Sequence, residues 1–405
     1  MKKIIFVGLL ILVFAFAVFG CGAKQEPADN GGEQQSQTGE QQQSKEPVKI
    51  GFFAPLTGPA AADGESVQNA AELAVEQIND AGGINGQLVE LVDYDDGLDS
   101  KQAVNIAQKL TTKDNVVATV SGSYSGPTRA VAPIFQRAQI PMISAYALHP
   151  EITKAGDFIF RQSFVGTVQG KAGAYVAVEM LGAKKIAILH IDNDFGSTLA
   201  QSFEAYAEAK GAEVVSIDSF SFGEKEFTPV LTKIKEEGAD LVYMPAYAGE
   251  GAQIVRQAKD LGLEAQLLGT EGVDSTTQFL EVAADTADGL VITTNLNRDS
   301  DREVVQKFLT DYSDFSGHAP DMVAASTYDA FMVLASVMKE YGTEPAQILE
   351  GLSKVKNFEA VTGVLHGYNE LGEVTKAVQV QEVKNGKFHS YGQIDDPEII
   401  TPPNK

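Results

Sequence analysis

The sequence predicts an α/β protein built as two doubly wound lobes, and three observations predict it. Strand-like and helix-like segments alternate from residue 48 onward. The alternation runs to residue 144 and restarts at residue 185. The globular stretch of about 350 residues is too long for one compact core, so two lobes are expected. Alternation of this kind implies largely parallel sheets covered on both faces by helices.

The first run opens with a β-rich segment, 48–53, and a Pro/Gly loop, 55–64. Residues 66–81 then carry Val67, Ala70, Ala74, Ile78 and Ala81 at helical spacing, and Gly82-Gly83 stops the helix. A strand over 88–92, a helix over 100–111 and a short buried strand over 116–120 follow. The loop 121–126 leads into a helix from Pro127, and 140–144 is a further strand. The second run places strands at 185–190, 213–220, 241–245 and 266–269. Its helices fall at 197–210, 228–237 and 249–261. Ligands of such sheets bind beyond the carboxyl ends of the strands. That rule singles out the loops 56–64, 121–126, 145–149, 192–196, 246–249 and 270–274.

The amino terminus argues for export. Lys2 and Lys3 precede an uncharged apolar run, 4–19, which suits a signal peptide better than a membrane span. The run ends at Gly20-Cys21, which resembles the lipobox of bacterial lipoproteins, although Phe19 is bulky for that motif. The resemblance implies cleavage before Cys21 and a lipid on its thiol. An uncleaved anchor is the alternative, and either form places the body outside the cytoplasm. Residues 22–46 are rich in Gln, Glu, Ser, Gly and Asn, so they bury too little apolar surface to fold and read as a tether. Cys21 is the only cysteine, which excludes an intrachain disulfide and a cysteine-based metal site.

The chain carries 55 Asp and Glu against 31 Lys and Arg, a formal net charge of −24. A surface so acidic is repelled by phosphate backbones and anionic lipid, which argues against nucleic-acid partners. The His residues 149, 190, 318, 366 and 389 form no ligand-spaced pair, and no H-E-x-x-H or P-loop occurs. No catalytic constellation, metal site or cofactor is expected. The run Gly122-Ser123-Tyr124-Ser125-Gly126 has Tyr where a nucleophile elbow needs Ser.

The loops carry a family resemblance. The stretch Ile50-Gly51-Phe52-Phe53-Ala54-Pro55-Leu56-Thr57-Gly58-Pro59, then Ile78-Asn79-Asp80-Ala81-Gly82-Gly83-Ile84-Asn85-Gly86, resembles the start of the leucine/isoleucine/valine-binding proteins of ABC importers. Tyr94-Asp95-Asp96, Pro141-Met142-Ile143-Ser144, Asn193-Asp194-Phe195-Gly196, Arg256-Gln257-Ala258 and Glu271-Gly272-Val273 continue it in order, and the resemblance spans 48–391. It implies the type I periplasmic-binding-protein fold, with three crossovers and a cleft that closes on ligand. The implied partition is 48–165 plus 297–361 for one lobe and 166–296 plus 362–395 for the other. An amino-acid ligand, an ABC permease partner and a monomer are expected.

A free amino acid presents a carboxylate and an ammonium side by side, and a closed cleft must supply partners for both. The free N–H groups of a helix start near Pro127 favour an anion. Ser125 matches the family's carboxylate-binding Ser; capping its own helix is the other reading. Glu271 matches the acidic partner of the ammonium, Tyr247 a Tyr that closes from the second lobe, and Phe195 an aromatic wall. Tyr146, Ala147 and Leu148 occupy a loop where the family uses backbone groups and a Thr hydroxyl; Leu148 stands at the Thr position. Leu98 and Tyr124 stand where some members place a disulfide, which puts Tyr124 beside the cleft. Asp63 stands where branched-chain binders place a Tyr. It reads either as an exposed loop residue or as a cleft residue favouring a polar or cationic ligand. A polar amino acid, an amide, another small carboxylate, or a role as ligand sensor for a membrane receptor are the alternative functions.

Overall fold

The computed structural model describes residues 46–404. The expected leader, Cys21 and almost all of the tether lie outside the described residues. The first run of elements is β1 (Val48–Ala54), α1 (Ala61–Asp80), β2 (Val89–Asp95), α2 (Ser100–Thr112), β3 (Ala118–Ser121), α3 (Ser125–Ala138), β4 (Met142–Ser144) and β5 (Ile159–Arg161). Its five strands form a parallel sheet in the order β2-β1-β3-β4-β5. Side chains alternate across a strand, and β1 shows the result. Phe52 packs with Phe331 in one core cluster, whereas Phe53 stacks on Phe135 in another, on the opposite face.

The second run is α4 (Gly166–Tyr175), β6 (Lys185–Ile191), α5 (Asp194–Ala209), β7 (Glu213–Phe220), α6 (Thr228–Glu237), β8 (Leu241–Met244), α7 (Ala248–Asp260), β9 (Gln266–Gly269), the short α8 (Glu281–Ala283) and β10 (Val291–Thr294). The chain then returns to the first sheet with α9 (Glu303–Ser316), α10 (Met322–Tyr341) and α11 (Pro345–Ser353). The small strands β11 (Phe358–Ala360), β12 (Gly363–Leu365), β13 (Gly367–Tyr368) and β14 (Val374–Thr375) lead to β15 (Val378–Lys384) and β16 (Lys387–Ile394). The second sheet has the order β16-β15-β10-β9-β8-β6-β7. β6 through β10 are parallel, and β15 and β16 add an antiparallel edge that the alternation pattern does not announce.

The chain therefore crosses between the lobes after β5, after β10 and before β15. Phe308, Tyr312, Phe331 and Leu334, from beyond the second crossing, share a core cluster with Phe52 and Val67 from before the first. The crossings are fastened by buried charge. Arg161, fully buried, ion-pairs with Glu373 at 2.8 Å, and Glu373 also accepts from Thr153 at 2.5 Å. Arg161 donates to the carbonyls of Ala147 and His149 as well, so one guanidinium ties two crossings to the loop after β4. Nearby, Asp329 accepts from the backbone of Val361 and Thr362 and from the Thr362 hydroxyl, to which the buried Lys376 donates at 2.7 Å.

Three helices begin earlier than their sequence signals suggest. The helix expected from residue 66 starts at Ala61, inside the expected loop. Gly64 is not a loop glycine: a Cβ there would sit 2.1 Å from the Pro55 carbonyl oxygen, so it allows the helix to press against the strand end. The other two helices start at Ser125 and Asp194. Among the described residues, no helix is long and apolar enough to cross a membrane.

Candidate functional site

The carboxyl ends of both sheets face a cleft between the lobes. Asp63, Tyr124, Ser125, Tyr146, Ala147, Leu148, Phe195, Tyr247 and Glu271, the residues singled out from sequence, all line it.

Ser125 is the first residue of α3 and is 5 % exposed. Its hydroxyl does not cap the helix and makes no hydrogen bond among the described residues. That removes the capping reading. The earliest N–H groups of a helix lack intrahelical acceptors and mark its positive end, so Ser125 and Gly126 present unpaired donors where the hydroxyl lies.

Glu271 enters from the other lobe, in a single helical turn after β9. Gly272 next to it allows a tight fit, because a Cβ would lie 2.3 Å from the Ala246 carbonyl oxygen. The Glu271 carboxylate accepts a bond from Gln169 of α4. Burial pushes its pKa up to about 8, because desolvation disfavours the charged form. Gln169 has no sequence signal; it lies on α4, just after the first crossing, a helix that the strand–helix pattern does not mark.

The aromatic wall spans both lobes. Tyr247 precedes α7, and its ring stacks on Tyr124 with centroids 4.6 Å apart and on Phe195 at 5.0 Å. Asn193 donates to the Tyr247 hydroxyl at 3.3 Å. Tyr146 meets Tyr124 edge-on and donates to the Gly122 carbonyl at 2.7 Å. Leu148 lines the cleft yet packs with the core cluster of the second lobe, so it supplies contact between lobes where a hydroxyl is absent.

Asp63 is not an exposed loop residue. It sits in the first turn of α1 and accepts from Tyr124 at 2.6 Å and from Gln278 at 2.7 Å. Gln278 follows β9, so this carboxylate bridges the lobes. Burial raises its pKa, against the lowering effect of those two bonds. Asp274, Ser275, Asp321, Met322 and Val323 complete the lining. Asp274 ion-pairs with Arg298 at 2.5 Å. Asp321 caps α10, a pattern that reads in sequence as a helix start and nothing more. Among the described residues, no cluster of His, Cys, Asp and Glu could hold a metal ion.

Comparison with known proteins agrees with this architecture. A family profile described as periplasmic binding protein matches residues 47–387. The leucine-, isoleucine-, valine-, threonine- and alanine-binding protein of Pseudomonas aeruginosa is 33% identical over 330 residues, covering 81% of this chain and 87% of that protein. The Leu/Ile/Val-binding protein of Escherichia coli K12 is 31% identical over 81% of this chain and 88% of its own length. The crystal structure of the branched-chain amino acid transporter substrate-binding protein LivJ of Streptococcus pneumoniae, in complex with isoleucine, superimposes with a TM-score of 0.79 at 29% identity. That match covers 86% of this chain and 99% of the other. Two lobes, a cleft at their strand ends and a match over most of the chain lead to one conclusion: the chain belongs to the periplasmic binding protein family.

Proposed function

We propose that this protein captures a free amino acid between its lobes outside the cytoplasm and delivers it to an ABC importer. The supporting observation is that Ser125 and Glu271 face one cavity from opposite lobes. Ser125, with the free N–H groups at the start of α3, receives the α-carboxylate. Glu271, held by Gln169, receives the α-ammonium. Only the closed cleft brings both partners to one ligand, so binding draws the lobes together. The aromatic wall of Tyr124, Tyr247 and Phe195 excludes water. In this reading the chain is cut before Cys21, a lipid on Cys21 holds the protein at the membrane, the tether gives it reach, and the body works as a monomer.

The test is calorimetric titration of protein freed of carried-over ligand by unfolding and refolding, against the twenty amino acids. Saturable binding, lost by about tenfold or more in both Ser125→Ala and Glu271→Ala, is the expected result. Binding that survives both substitutions, or no binding of any amino acid, overturns the proposal.

A further inference from the structure

Among the described residues, the cleft is lined by Asp63, Glu271, Asp274 and Asp321 and by no Lys, Arg or His. The reading above uses one of these carboxylates, Glu271, for the α-ammonium. Arg298 neutralises a second, Asp274. Asp63 and Asp321 remain, and an aliphatic ligand offers neither of them a partner.

Asp321 is the more telling of the two. It is 7 % exposed and lines the cavity. Its Oδ1 does all the structural work, accepting from the Ser66 hydroxyl at 2.7 Å and from the Ala324 N–H, the helix cap, at 2.9 Å. Its Oδ2 accepts no hydrogen bond among the described residues. A cap requires one oxygen only. Asp63 has one donor on each oxygen, Gln278 on Oδ1 and Tyr124 on Oδ2, which leaves lone pairs on both. The two carboxylates are close enough for Asp63 to add to the rise in the Asp321 pKa. Buried carboxyls of this kind hold protons in the empty cleft and ionise when a ligand cation reaches them. Met322, Val323 and the rings of Tyr124 and Tyr247 offer apolar surface to a methylene stem, and aromatic faces attract a cation.

We infer that the ligand is an amino acid whose side chain carries a second cation, an ammonium or guanidinium group, seated against Asp321 Oδ2 with Asp63 beside it. This inference rests on the proposed amino-acid reading of the same cleft. A neutral amide side chain could donate a hydrogen bond there but would not balance the charge.

The test titrates the refolded full chain in detergent with lysine, ornithine and arginine, with glutamine and asparagine, and with leucine, isoleucine and valine. At least one basic amino acid should bind about tenfold or more tighter than glutamine and leucine. Asp321→Asn, which retains a capping side chain, and Asp63→Asn should each reduce that preference by about tenfold. Tighter binding of a neutral amino acid by the unaltered protein overturns the inference and leaves the amino-acid reading standing. A basic preference unchanged in both variants also overturns it. Absence of binding by any amino acid removes both.

Discussion

The phenol ring of Tyr124, from the turn between β3 and α3, lies against that of Tyr247, from the turn between β8 and α7, with centroids 4.6 Å apart. The two turns belong to different sheets, so this stack is a contact of the closed cleft. An aromatic pair contributes about 0.5–1.5 kcal/mol beyond area burial. Tyr247→Ala should therefore weaken ligand binding by about tenfold and shift the ligand-bound protein toward a larger radius of gyration in solution scattering. Tyr247→Phe, which loses only the bond from Asn193, should stay within about twofold. Equal losses in the two variants would refute a stacking role.

Binding should release protons near pH 7. With Glu271 at about 8 and Asp321 at about 7, both empty-site carboxyls are partly protonated there. A ligand ammonium draws them into the charged form. Affinity should rise from pH 6 to pH 8, and the calorimetric enthalpy should differ between phosphate and Tris buffers. Glu271→Gln should diminish that difference. The same groups set a stability trend, because their folded pKa values lie above the unfolded ones. Their stabilisation is present below the unfolded values and is lost as pH rises through about 7 and 8. The empty protein should thus gain stability relative to its Glu271→Gln variant as pH falls from 8 to 5.

Glu373→Gln should be among the most damaging single changes outside the cleft. It leaves Arg161, fully buried, without its counter-charge. Breaking such a pair from one side costs about 3–5 kcal/mol. Because Arg161 also holds the carbonyls of Ala147 and His149, ligand affinity should fall together with stability in denaturant titration. A stability loss below about 1 kcal/mol would show that the pair is dispensable.

The ion pair Arg129–Asp194 also joins α3 to α5, at 3.0 Å, but its side chains are 45% and 31% exposed. Exposed pairs contribute about 0–1 kcal/mol. Arg129→Ala should leave the melting temperature nearly unchanged and lose what effect it has at high salt.

Gly272→Ala should impair binding without touching the ligand. The added methyl meets the Ala246 carbonyl oxygen at 2.3 Å, which backbone must relieve. Overpacking of this kind costs about 1–3 kcal/mol, and the displaced segment carries Glu271. Titration should show weaker binding alongside a lower melting temperature.

Much of the site was legible because it lies on loops that the strand rule marks in advance. Ser125, Phe195, Tyr247 and Glu271 each follow a strand whose apolar run is plain in the sequence. Helix starts were less legible: Gly64 resembles punctuation, and only its contact with Pro55 shows that it permits packing. Gln278 and Asp321 were not legible at all. Tertiary placement brings Gln278, from a short turn after β9, to Asp63, and brings Asp321, from a helix that returns across the second crossing, to the cleft. Asp63 was visible as a departure from the family, but its direction was not, since nothing local foretells a bond to Gln278 more than two hundred positions away.

The return of α9, α10 and α11 to the first sheet has a consequence for the order in which the molecule can be made. A nascent chain that ends at β10 already contains every strand of the first sheet, yet lacks Phe308, Tyr312, Phe331 and Leu334, which share a core cluster with Phe52. Contacts so distant in sequence delay folding, because loop closure must precede any gain from burial. One face of the sheet synthesised first is thus completed only after α9 and α10 have followed, whereas its other face closes on residues already made.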